Sequence, residues 1–263
     1  MTDGKVFLVT GGGRGIGFQL VTDLLAKGST VIATVRNVDS CSQLKQLASQ
    51  NADRLHIVKL DVNHPSTFAG TAEEIKKAGY DHLDVVINNA GILGELRAYE
   101  DVTEKELQEL SFRWPACLGT SFLLSRKTAA LLLGDSTNTI GPFLFTQQLK
   151  KAGLIGGESG TVVANISSVL GSIGHEQFPG YPGYDYRAFK AALNMLSKHT
   201  DIALAKDNVT CFVIHPGYVR TAMNKGGGHI EVEESAKGIL DVLESDKDKH
   251  GTFYSYDGQP LPW

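Results

Sequence analysis

Six short runs of β-branched and aliphatic residues recur along the chain, each nearly unbroken. They occupy residues 5–10 (KVFLVT), 30–35 (TVIATV), 55–60 (LHIVKL), 83–88 (LDVVIN), 161–166 (TVVANI) and 209–215 (VTCFVIH). Continuous apolar runs, unlike alternating ones, belong to strands covered on both faces. Between them lie residues 15–27, 40–50, 65–78 and 184–206, whose apolar side chains fall at helical spacing. Strand and helix in repetition imply a parallel sheet with crossover helices, a doubly wound α/β fold. A last strand near residues 251–255 is expected to close the sheet. No internal repeat, low-complexity tract or Pro/Ser-rich linker interrupts the 263 residues, which read as one domain.

The first strand runs straight into Thr10-Gly11-Gly12-Gly13-Arg14-Gly15-Ile16-Gly17, which opens the first helix. Glycines let the backbone turn tightly and approach a pyrophosphate, and the helix N-terminus favours its charge. In this strand–turn–helix setting the run reads as a dinucleotide loop of the Rossmann type, with Gly11, Arg14, Gly15, Ile16 and Gly17 at the cofactor. The alternative, a plain tight turn, has no need of so many glycines and an arginine. The second strand ends Ala33-Thr34-Val35-Arg36-Asn37, with no acid to accept from ribose hydroxyls. Arg36, with Arg14 opposite, suits a 2′-phosphate, so the expected cofactor is NADP(H).

Tyr186 and Lys190 stand four residues apart on one helix face. A nearby ammonium stabilises a phenolate, so Tyr186 could give a proton to a carbonyl oxygen at neutral pH. A Y-x-x-x-K pattern also occurs on ordinary surface helices, and its neighbours decide the reading. Asn165-Ile166-Ser167-Ser168 ends one strand with exposed hydroxyls, and Asn88-Asn89-Ala90-Gly91 ends another with small residues that permit close approach. Asn88 and Ala90 are expected at the cofactor. Asp61, after the third strand, either bonds the adenine or caps the helix before Pro65. His215-Pro216-Gly217 ends the sixth strand, with Thr221 just beyond at the cofactor and His215 in a structural role.

In this order, T-G-x-x-x-G-I-G, N-N-A-G, the serine, Y-x-x-x-K and P-G-x-x-x-T make the chain resemble the short-chain dehydrogenase/reductase family over nearly its whole length. Residues 256–263 (YDGQPLPW) and the Arg36 context are similar to its branch of sniffer-like carbonyl reductases and C-factor-like proteins. The resemblance implies Tyr186 as acid/base, Lys190 as its partner and a ligand of the nicotinamide ribose, and Ser168 as the group that orients the carbonyl. It also implies Asn138 as the asparagine that supports a water linking lysine to solvent. A homodimer through helices of the family interface is expected with it. The implied reaction is NADP(H)-dependent reduction of an aldehyde or ketone, with no metal. Residues 183–184 and 221–230 are expected to line the substrate pocket. The rival is a dinucleotide-binding regulatory protein of the C-factor type with little turnover.

The chain departs from the family twice. Ser168 and Tyr186 are eighteen positions apart, and residues 174–183, with Pro179 and Pro182, can loop out at small entropic cost. The larger departure lies between Gly91 and Asn138. Thr103-Glu104-Lys105-Glu106 reads as a capping box, with Leu107 and Leu110 continuing an apolar stripe. The helix then meets residues 111–134, which hold three basic side chains and no acid, and Trp114-Pro115, which breaks it. Either this is a genuine insertion, with a helix of its own around residues 121–133, or it is translated non-coding sequence. Missing acids, abrupt edges and placement inside a helix favour the second. Both put the placement of Asn138 in question.

Composition sets the outer limits. A net charge of −4 leaves no electrostatic footprint for nucleic acid. No apolar run approaches the roughly 20 residues of a membrane span, and Met1-Thr2-Asp3-Gly4-Lys5 lacks a signal-peptide layout. Cys41, Cys117 and Cys211 have neither C-x-x-C nor zinc spacing, which suits free thiols and a cytoplasmic protein.

Overall fold

The computed structural model describes residues 4–93, 136–175 and 183–263. Its strands are β1 (Val6–Thr10), β2 (Thr30–Val35), β3 (Leu55–Lys59), β4 (Val85–Asn88), β5 (Thr161–Ile166), β6 (Val209–His215) and β7 (Phe253–Ser255). They form one sheet in the order β3-β2-β1-β4-β5-β6-β7, and every neighbouring pair is parallel. The helices between them are α1 (Gly15–Ala26), α2 (Ser42–Gln50), α3 (Phe68–Lys77), α4 (Gly141–Lys151), α5 (Tyr184–Leu204) and α6 (Val232–Glu244). This is the doubly wound α/β architecture expected from the run of strands. The strand order reverses between β1 and β4, and in sheets of this kind the crevice for a ligand lies at such a point, outside the carboxyl ends of the strands.

Strands β1 to β6 each feed two cores. Phe7 and Val9 of β1 join Leu20, Val21 and Leu24 of α1 and Ile239 and Leu240 of α6 on one face. Leu8 faces the other way, into a core with Phe68 and Ile75 of α3 and Phe145 and Leu149 of α4. There the Phe68 and Phe145 rings meet edge to face, 5.3 Å apart, an arrangement their quadrupoles favour. With both faces covered, an alternating polar residue would have nowhere to go. That accounts for the unbroken apolar runs.

Local chemistry adjusts several ends. Pro65 opens a 3-10 turn (Pro65–Thr67), so α3 starts only at Phe68. The last strand is shorter than residues 251–255, because its pairing with β6 begins at Phe253. The capping box at 103–106, the segment 111–134, Cys117, Pro179 and Pro182 lie outside the described residues. Among the described residues no helix is long and apolar enough to cross a membrane, and no three potential metal ligands cluster.

Candidate active site

The loop after β1 and the loop after β4 are laced together at the point of reversal. Thr10 Oγ1 accepts the N–H groups of Asn89 and Ala90, each at 3.0 Å. In return Asn89 Nδ2 donates to the Thr10 carbonyl at 2.9 Å. Gly11 (φ +69°) and Gly15 (φ +54°) turn the chain through left-handed backbone that a side chain would strain. Gly17 is packed so tightly that a Cβ would lie 2.3 Å from the Gly11 carbonyl oxygen. The result is a bare backbone cradle at the N-terminus of α1.

Arg14 precedes α1 without a side-chain cap, so the first N–H groups of the helix are not taken up by a capping side chain. Such a terminus favours an anion. Arg14, like Arg36 just past β2, is exposed and forms no ion pair among the described residues. Ile16 packs against the α1 core and fixes the helix start. From β6 the chain brings Thr221 to the same place, its Cγ2 3.8 Å from where a Gly15 Cβ would sit. Thr221 is held by Asn224, whose Oδ1 accepts the Thr221 N–H at 3.1 Å.

Two residues expected at the cofactor have other engagements. Asn88 is 2% exposed, and its Nδ2 donates to Asn165 Oδ1 at 2.8 Å and to Thr146 Oγ1 at 3.2 Å. That side chain ties β4 to β5 and α4 instead of facing the crevice; the reason is the register, which sets Asn88 directly beside Asn165. Asp61 accepts the Asn63 N–H at 3.0 Å and meets His64 Nδ1 at 3.1 Å, so both carboxylate oxygens serve a local turn. It does not cap the 3-10 turn, which His64 precedes.

Across the crevice, α5 opens at Gly183 (φ +110°). Lys190 Nζ lies 5.7 Å from the centre of the Tyr186 ring. It is 4% exposed and donates to the Ile166 carbonyl at 2.7 Å. Burial disfavours its charged form and pulls its pKa down to about 7. Ser168 follows β5 and caps the 3-10 turn Val169–Gly171, its Oγ accepting the Leu170 N–H at 3.2 Å. Gly171 sits against Lys190, where a Cβ would come within 2.7 Å of the lysine backbone.

Asn138 lies in a π-helical turn, Ser136–Ile140, that leads into α4. Its Nδ2 donates to the Ile92 carbonyl at 2.9 Å, and its Oδ1 accepts the Ile92 N–H at 3.1 Å. Next to it, Thr139 Oγ1 donates to the Phe189 carbonyl at 2.9 Å, one residue before Lys190. Widened turns of this kind are frequent at functional sites. The structure therefore brings Asn138 to the Asn88–Gly91 loop and its turn to the Tyr186 helix. His215 is pushed down to about 4 by burial and is neutral at pH 7, consistent with a structural role.

A family model described as short chain dehydrogenase matches residues 5–229. An uncharacterised oxidoreductase of Saccharomyces cerevisiae is 30% identical, over 96% of this chain and 95% of its own. Among solved structures, the carbonyl reductase Sniffer of Drosophila melanogaster superposes with a TM-score of 0.80 at 26% identity, covering 99% of this chain and 100% of its own. An NADPH-bound carbonyl reductase from chicken fatty liver gives 0.77 at 30% identity, with the same coverage.

The buried lysine makes stability depend on pH in a defined window. Its folded pKa lies below its unfolded one (10.5), so between pH 7 and 10.5 the unfolded chain holds one proton more. Stability then rises with pH through that window, by up to about 1.4 kcal/mol per unit from this group. Urea denaturation at several pH values should show this increment in the parent chain and its loss in Lys190→Met. Equal slopes for the two proteins would contradict the burial of a neutralising amine.

Proposed function

The chain belongs to the short chain dehydrogenase family, and on that premise we propose that it reduces aldehydes or ketones to alcohols with NADPH, using Tyr186, Lys190, Ser168 and Asn138. The observation that carries the reading is the desolvated Lys190 amine under the Tyr186 ring, with the Ser168 turn packed on the same lysine. A protein that only bound a dinucleotide would have no use for a buried amine beside a phenol.

The residues fit the dinucleotide. The glycine cradle, where a Cβ on Gly17 has no room, and the uncapped start of α1 would hold the pyrophosphate. Arg14 and Arg36 would flank a 2′-phosphate, and Thr221 closes the cradle from the β6 side. The Ala90 backbone lies against Gly11. When bound, the reduced nicotinamide supplies the hydride. Ser168 Oγ donates a hydrogen bond to the substrate carbonyl oxygen and fixes its direction. Tyr186 gives its phenolic proton to that oxygen as the carbonyl carbon is reduced, so one C–H and one O–H bond form and the C=O π bond is lost. Lys190 lowers the cost of the phenolate left behind. With a pKa of about 7, it can also pass a proton on at neutral pH. Asn138, whose side chain is committed to Ile92, keeps the π turn beside Lys190, and the backbone of that turn supports the water that returns the proton. Positioning is what the protein contributes to the rate.

The remaining expectations follow from the same reading. The chain works in the cytoplasm as one domain, residues 1–263, with an atypical segment at 111–134. Exposed Met195 (60%) and Ile202 (63%) on α5 suit a homodimer packed through α4 and α5. Sedimentation velocity should give twice the chain mass, and Ile202→Glu should return the monomer. A monomeric parent chain would refute the dimer.

Tyr186→Phe should lower NADPH oxidation with a panel of aldehydes and quinones by at least about 100-fold, the usual scale of general-acid catalysis. NADPH binding followed by fluorescence should stay intact. Retained turnover would falsify the mechanism, and tight binding without turnover by the parent chain would favour the regulatory rival. Arg36→Asp should shift the kcat/KM preference from NADPH towards NADH by about 10- to 100-fold, the worth of one charge-assisted contact. An unchanged ratio would remove Arg36 from the phosphate site.

A further inference from the structure

Asn194 lies four residues beyond Lys190 and eight beyond Tyr186, so the three share a face of α5. It is 3% exposed, and both ends of its amide are in use. Ser167 Oγ donates to Asn194 Oδ1 at 2.5 Å, and Asn194 Nδ2 donates to the Gly171 carbonyl at 3.2 Å. Those two partners stand on either side of Ser168. Ser167 is the residue before it, and Gly171 closes the turn that Ser168 caps, its N–H donating to the Ser168 carbonyl at 2.9 Å. One side chain therefore clasps the serine-bearing segment, at both its ends, to the helix that bears the tyrosine and the lysine.

An apolar residue would fill this space without the cost of burying an amide. Aspartate could accept from Ser167 but could not donate to Gly171, and a hydroxyl could not span both. The pairing requires a donor and an acceptor about one amide apart, which asparagine supplies. Lys190 of α5 holds the same stretch one residue earlier, at the Ile166 carbonyl. The Ser167 N–H donates to the Ile214 carbonyl of β6, and Ser168 Oγ accepts from its own turn. Among the described residues, Asn194 is therefore the α5 side chain bonded to Ser167 and Gly171 themselves.

We propose that Asn194 is a positioning residue for the carbonyl reduction, setting the Ser168 hydroxyl against Tyr186 through its bonds to Ser167 and Gly171. The proposal rests on the reductase reading above. It acts through Ser168, and that dependence separates it from a merely structural amide. Displacing a reacting group by about 1 Å can cost about 100-fold, so part of that range is the expected effect.

The test is a cycle of four proteins, the parent chain, Asn194→Ala, Ser168→Ala and the double variant, each assayed per NADPH-binding site by single-turnover reduction of an aldehyde. Asn194→Ala should lower kcat by about tenfold or more while the KM for NADPH moves less than about twofold. On the Ser168→Ala background the same change should cost less than about threefold, because the group it positions is gone. Equal losses on both backgrounds, or an unchanged kcat, would overturn the proposal. Should Asn194→Ala not fold, Ser167→Ala breaks one arm of the clasp and is read in the same cycle. If Ser168→Ala itself keeps full turnover, the reductase assignment of Ser168 is at fault, an outcome distinct from failure of the clasp.

Discussion

Lys190 Nζ is almost sealed from water and donates to one carbonyl, that of Ile166. An amine in such a place is costly to charge, and the surrounding chain is built to keep it there. The carbonyl is that of Ile166, the last residue of β5, so the strand has to stop at the lysine. Gly171 is required because any side chain would collide with the lysine backbone. Thr139, bonded to Phe189, presses the π turn onto the same stretch of helix. The buried lysine and the geometry of three separate segments are in this sense one constraint. A small change in the depth of α5 would disturb all of them together.

Much of this was legible in the residues themselves. Continuous apolar runs announced buried parallel strands, whose limits were missed by one or two residues, while Pro65 set the start of α3 three residues later than expected. The glycine loop and the Tyr186–Lys190 spacing are local patterns, and the structure places them on the elements the sequence proposed. What was not legible is of another kind. The helix α6 carries Ala236, Ile239 and Leu240 at helical spacing, a signal present but left unread beside the louder strands. The roles of Asn88, Asn89 and Asn194 could not be read at all. An asparagine states only that it has a donor and an acceptor, and the partners here lie up to about eighty positions away. For Asn88 the neighbouring motif pointed to the cofactor, whereas strand register gave it to Asn165.

Asn138 is held by contacts the sequence could not anticipate. Thr137 Oγ1 donates to Asn63 Oδ1 at 2.8 Å, Asn138 pairs twice with Ile92, and Thr139 reaches Phe189. Three consecutive residues are thus pinned to three different segments of the chain. An α-helix transmits register along its axis, so an altered length at its start would rotate everything after it. The π turn receives its register from its sides instead. The position of Asn138 is thus written across the fold, by residues 63, 92 and 189.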